Sequence, residues 1–132
     1  MSLNFSTVTV WLLRLIAAAI MLQTLYFKFT SAPESVYIFS TLGMEPWGRI
    51  GIGVMELIAS ALILYPRTTG IGAVLGAGLM SGAIYFHLTK LGLAVQGDGG
   101  QLFIYALLVL VCCVALIIAN RKDILSLANL DF

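Results

Sequence analysis

Four long apolar runs divide the chain: Val8 to Phe27, Trp47 to Tyr65, Gly70 to Leu88 and Gln101 to Ala119. Each is close to the roughly 20 residues that an α-helix needs to cross the hydrocarbon core of a bilayer. In lipid a chain must satisfy its own backbone N–H and C=O groups, so runs of this kind fold as helices. The predicted fold class is therefore all-α, a four-transmembrane-helix antiparallel bundle forming a single integral membrane domain over residues 1–132. Its spans are expected at about 8–28, 47–65, 70–90 and 101–120. Composition bears on this at one point: with 61% hydrophobic and 10% charged residues, the chain has too little polar side chain to cover a soluble globule of its size. The first run lacks a basic leader, carries Arg14 inside it and has no cleavage signal, so it is expected to be retained as a span. A net charge of +1 and the absence of a Lys/Arg stripe exclude a nucleic-acid partner; the partner the runs demand is the lipid bilayer.

The connections refine the picture. Ser6 and Thr7 are placed to cap the first helix. Between Phe29 and Pro46 the stretch Ser35 to Gly43 reads as a short interfacial helix between the first two spans, with Val36, Phe39 and Leu42 on one side and Tyr37 at headgroup depth. Pro46 suits the first position of the second span. Pro66-Arg67-Thr68-Thr69 is so short that the second and third spans must be antiparallel neighbours. The third span is rich in small residues, and the pairs Gly72/Gly76 and Gly78/Gly82 both predict close backbone approach. Asp98 and Gln101 fit a capping box for the last helix. Cys112 and Cys113 are adjacent, without the two intervening residues of a Cys-x-x-Cys redox pair, and read as small apolar residues of the fourth span.

Against this apolar background the polar side chains stand out. Glu56 lies ten residues beyond Pro46, ~15 Å below the boundary and near the midplane. An ionisable residue at such a depth faces the bundle interior and needs a partner. On the first span Arg14, Ala18, Met21, Leu25 and Lys28 share a face, and Gln23 lies off it. Arg14 and Glu56 differ by ~7 Å in estimated depth, so an ion pair between them is expected. The antiparallel arrangement collects Lys28, Arg49, His87, Lys90 and Asp98 in one leaflet, above Gln23, Glu56 and Arg14. These eight residues are the candidate ligand or polar-pocket set. Two readings stand side by side: charges that merely fix helix register, and a polar pocket open to the outer face that holds a small polar or quinone-like head group. A proton path or a subunit interface is a third. His87 has three readings of its own: a hydrogen-bonded structural histidine, a pocket group donating to a ligand carbonyl, or a haem or metal ligand. No Cys/His cluster has metal-ligand spacing, so no metal site is expected, and no Gly-x-Ser-x-Gly elbow marks a catalytic serine.

Arg14, Lys28-Phe29, Phe39-Ser-Thr-Leu-Gly43-Met-Glu-Pro46, Glu56, Tyr65-Pro66-Arg67-Thr68, His87-Leu88 and Gly97-Asp98-Gly99-Gly100 together resemble the DoxX family in order and spacing, over roughly residues 10 to 119. The resemblance implies a small four-helix integral membrane protein. It also implies an accessory role in a quinone-linked or redox-associated membrane system, with Arg14, Lys28, Glu56, His87 and Asp98 as pocket or core-polar residues. No cofactor follows from the residues themselves; a quinone is the one the resemblance admits, and other membrane subunits or a homo-oligomer are the partners it admits. The alternatives are a structural or assembly subunit without a ligand and a small transporter or proton-conducting unit. The protein is expected in a bacterial inner membrane, and the loop cations Arg67, Arg121 and Lys122 favour cytoplasmic termini over the side of Lys28, Arg49 and Lys90, where Glu34, Glu45 and Asp98 are mixed in.

Overall fold

The computed structural model describes residues 6–94, 99–122 and 124, and these form five α-helices and one π-helical turn. In order they are α1 (Thr7–Phe29), α2 (Pro33–Thr41), α3 (Trp47–Leu64), α4 (Thr69–Phe86), the π turn His87–Leu91 that prolongs α4, and α5 (Gln101–Ala119). α1, α3, α4 with its π turn, and α5 are long and apolar enough to cross a membrane, and their ends fall within a residue of the predicted spans. Large apolar side chains are exposed along all four, among them Leu15, Val54, Val74 and Val111. Trp11 and Tyr65 ring one end, and Tyr26, Trp47 and Tyr85 the other, all exposed. The 18 residues of α3, Trp47 to Leu64, span ~27 Å, close to the depth of a hydrocarbon core with the interfacial aromatics Trp47 and Tyr65 on either side. The protein is a multi-pass integral membrane protein in contact with lipid.

The helices follow one another around the bundle as α1, α3, α4, α5 and back to α1. Side-chain contacts fix their directions. The start of α1 meets the end of α3 through Arg14, and the end of α1 meets the start of α3 through Arg49. Gly72 at the start of α4 abuts Leu62 and Ile63 at the end of α3, and His87 after α4 packs edge-on against Phe103 at the start of α5. Every neighbouring pair is therefore antiparallel. The core is a column of small and medium side chains, with Ala17, Met21, Ala59, Ile63, Ala73, Val109, Cys113 and Leu116 almost fully buried.

Local chemistry sets the ends. Ser6 caps α1 by accepting from the Thr9 N–H at 3.1 Å. α2 closes in a Schellman motif: the Met44 N–H donates to Phe39 O, the Gly43 N–H donates to Ser40 O, and Gly43 takes the left-handed φ of +75° that the motif requires. Pro46 precedes α3 as its N-cap rather than forming its first turn. α5 starts at Gln101 with Gly100 as N-cap, so Gln101 is the first helical residue and not the third, and its side chain donates to the Tyr105 hydroxyl. The capping box anticipated there rests on Asp98, which lies outside the described residues.

The two glycine pairs of α4 behave differently. A Cβ on Gly72 would lie 2.7 Å from Ile63 N and 2.9 Å from Ala59 O, and one on Gly76 would lie 2.8 Å from Cys113 Sγ, so this pair permits close approach to α3 and α5. Gly78 and Gly82 meet nothing within 4 Å. They open space instead of closing it, because no helix backbone lies opposite them. Gly72→Ala is accordingly expected to destabilise the bundle by about 1–3 kcal/mol, as overpacking does. Gly82→Ala should be neutral or stabilising by up to about 1 kcal/mol, as for removal of a helical glycine. Thermal unfolding in detergent, followed by the reaction of the buried Cys112 and Cys113 with a thiol-specific fluorophore, measures both.

Candidate functional site

The space beside Gly78 and Gly82 is a cavity of about 690 Å³ at the end of the bundle away from the termini. α1, α4 and α5 form its walls, α3 contributes Ile52 and Glu56, and α2 lies across it. α2 presents Ser35, Ile38, Phe39 and Leu42 to the cavity, a spacing of three, one and three that marks one helical face. Val36, expected on one side with Phe39 and Leu42, is not among the lining residues, and Tyr37 is exposed. The lining is largely apolar; Gln23, Thr24, Lys28, Glu56, His87, Gln101 and Tyr105 of the spanning segments and Glu34 and Ser35 of α2 are its polar groups. Size and lining fall within the range of small-molecule sites.

Glu56 is 3% exposed, and its partner is Lys28, whose Nζ lies 2.8 Å from Oε1. The expected pair with Arg14 does not form. The physical reason is the direction of the side chains. In an α-helix each Cα–Cβ bond leans toward the helix N-terminus. Glu56 therefore leans toward the start of α3, which is the Lys28 end, while Lys28 leans back along α1 into the bundle. Arg14 leans the opposite way, toward the end of α3. Depth counted from rise alone missed this divergence. Although Lys28 Nζ is close, its approach is not aligned as a hydrogen bond, and Oε1 receives none among the described residues. One turn deeper, the Ser60 hydroxyl is also buried without a partner among the described residues.

The two buried arginines share one task at opposite ends of the bundle. Arg14 Nε donates to Ile63 O at 2.8 Å and a terminal nitrogen donates to Leu64 O at 2.6 Å, with the guanidinium 3.6 Å from the centre of the Trp11 ring. Arg49 donates to Lys28 O at the end of α1 and to the Glu45 carboxylate at 2.6 Å. Each arginine thus covers carbonyls that the antiparallel neighbour's C-terminus leaves unpaired, at the negative end of that helix. Thr68 and Thr69 complete the end of α3 by donating to Leu62 O and Ile63 O.

His87 is buried at the cavity's rim, where α4 passes into the π turn. Its Nδ1 lies 3.0 Å from Gly92 O. A carbonyl can only accept, so the proton resides on Nδ1, and Nε2 is the atom left to offer a ligand. Gly92 holds φ +81° and ψ 168°, a conformation restricted to glycine, which aims its carbonyl back at the ring.

Of the eight candidate residues, the structure brings Gln23, Lys28, Glu56 and His87 to the cavity. Arg14 and Arg49 are buried in helix-end contacts outside its lining, and Lys90 is exposed on the π turn. Asp98 lies outside the described residues. Sequence reasoning did not single out Tyr105 or the underside of α2 as lining. The i, i+4 spacing of Gln101 and Tyr105 and the one-faced spacing of Ser35, Ile38, Phe39 and Leu42 were the available signals. Among the described residues no three His, Cys, Asp or Glu side chains converge as a metal site would need.

Neither a characterised protein nor a solved structure matches the chain. The sequence profile of the DoxX-like family does, over residues 12–117. That range runs from the first turns of α1 to the last turn of α5 and takes in every helix that lines the cavity. The protein therefore belongs to the DoxX-like family of integral membrane proteins.

Proposed function

We propose that the protein binds the head group of a membrane-soluble quinone in the cavity beneath α2 and serves as an accessory component of a redox-associated membrane system. The observation that carries this reading is the cavity itself. About 690 Å³ of apolar space, widened by two glycines with nothing opposite them, contains a buried carboxylate whose Oε1 receives no hydrogen bond among the described residues. A register device needs charges but not this space. The walls suit an amphiphile: Phe27, Phe39 and Phe86 supply aromatic faces, and Gln23, on an exposed part of α1, lies where a head group would enter from the lipid. Arg67, Arg121 and Lys122 gather at the end of the bundle that carries both termini, while at the cavity end Lys28 and Arg49 are held by carboxylates and Lys90 is exposed. This supports cytoplasmic termini in a bacterial inner membrane, with the cavity in the outer leaflet.

Gly82→Leu fills the cavity from a position where an added Cβ meets nothing within 4 Å. Purified protein in lipid nanodiscs is expected to bind a short-chain benzoquinone-class ligand, and Gly82→Leu to weaken that binding at least tenfold without lowering the melting temperature. Equal binding by the filled variant would overturn the reading. A second reading, a ligand-free structural or assembly subunit, is favoured by one observation: Arg14 and Arg49 are used to join helices. It requires Gly82→Leu to leave the host complex fully active.

A further inference from the structure

Building on the head-group reading above, we infer that the cavity selects the reduced form of its ligand, a neutral hydroquinone-type head that donates its hydroxyl protons to Glu56 and His87. The hydrogen-bonding inventory of the cavity points there. Glu56 is 3% exposed, and a carboxylate can accept up to about four hydrogen bonds. Lys28 neutralises its charge from 2.8 Å of Oε1, which the protein encloses, and no hydrogen bond reaches Oε2 among the described residues, so Oε2 is the oxygen left to accept from a ligand. His87, 5% exposed, has its Nδ1 proton committed to Gly92 O, and in that tautomer Nε2 is an acceptor. Two acceptors thus converge on one cavity in need of O–H or N–H donors.

A quinone cannot meet that need, because its two oxygens accept only. A hydroquinone presents a hydroxyl at each end of the ring. The donors in the cavity do not reverse the preference. A hydroxyl oxygen also accepts, so Lys28 and the Tyr105 hydroxyl, which itself accepts from Gln101 at 2.8 Å, can serve either form. The acceptors serve the reduced form alone. Charge argues in the same direction: Lys28 and Glu56 cancel each other and Glu34, in the α2 part of the lining, adds a negative charge, so an anionic head would leave an uncompensated charge in a largely apolar site. A neutral head does not.

The same hydroxyl chemistry is found on glycerol lipids, and the test separates the two sources. Protein in nanodiscs is titrated anaerobically with a short-chain benzoquinol, the matching quinone, the quinol's dimethyl ether and a monoacylglycerol. The quinol is expected to bind at least tenfold more tightly than each of the others. The bound couple should then have its midpoint potential raised by about 30 mV for each tenfold preference, as a two-electron couple requires. Glu56→Gln and His87→Phe should each shrink the preference, and His87→Phe keeps the Lys28–Glu56 pair intact if Glu56→Gln proves unstable. Equal or tighter binding of the quinone or the dimethyl ether would overturn the selectivity while leaving head-group binding in place. A monoacylglycerol that competes as well as the quinol would overturn the aromatic assignment. Failure of all four to bind would overturn the head-group reading as well.

Discussion

Lys28→Met is expected to destabilise the folded bundle by about 3–5 kcal/mol, because it leaves the Glu56 carboxylate buried without its counter-charge. Glu56→Leu in the same chain should recover most of that loss. The recovery follows from the asymmetry of buried ion pairs: removing one partner strands a charge, whereas removing both replaces a desolvated pair by apolar packing. The pair lies where this asymmetry is strongest, with Lys28 at 15% and Glu56 at 3% side-chain exposure. Thermal unfolding of the wild type, both single variants and the double variant in one detergent gives the coupling energy directly. A double variant no more stable than Lys28→Met alone would mean that the contact at 2.8 Å is not what holds Glu56 in the bundle.

Arg14→Met should lower stability by about 2–4 kcal/mol, and this loss should be independent of Glu56. Arg14 makes two charge-assisted bonds, each of about 1.5–3 kcal/mol by comparison with similar bonds elsewhere. Thr69 still donates to Ile63 O after the substitution, so the Leu64 carbonyl suffers most. Arg14→Lys should restore less than half, since an ammonium cannot fork across two adjacent carbonyls as a guanidinium does. The Arg14→Met and Glu56→Gln effects should add to within about 0.5 kcal/mol, as they do for residues without a shared contact. A larger coupling energy would revive the direct pairing that depth alone suggests.

Charge placement in this protein follows from helix direction as much as from helix depth. Lys28 and Glu56 approach because each leans toward its own helix N-terminus, and in an antiparallel pair those leanings converge at one level and diverge at another. Arg14 and Arg49 use the same rule to reach the exposed carbonyls of a neighbour. The contrast assigns the two arginines to the joints of the bundle and the lysine–glutamate pair to the cavity.

The sequence by itself determined the four spans, their antiparallel order, the small helix between the first two and the stripe that turns Lys28 inward with Met21 and Leu25. It could do so because bilayer thickness and backbone hydrogen bonding leave a run of some 20 apolar residues a single solution, and short connections leave little choice of neighbour. It also marked Glu56 as interior. What the tertiary structure alone decided is which groups meet there. Gly72 and Gly76 touch neighbouring helices whereas Gly78 and Gly82 border a cavity, although all four read alike along the chain. A missing side chain permits either close approach or empty space, and the outcome depends on whether a backbone lies opposite. α2, spread across the end of the bundle, leaves that space beneath it and so makes the cavity.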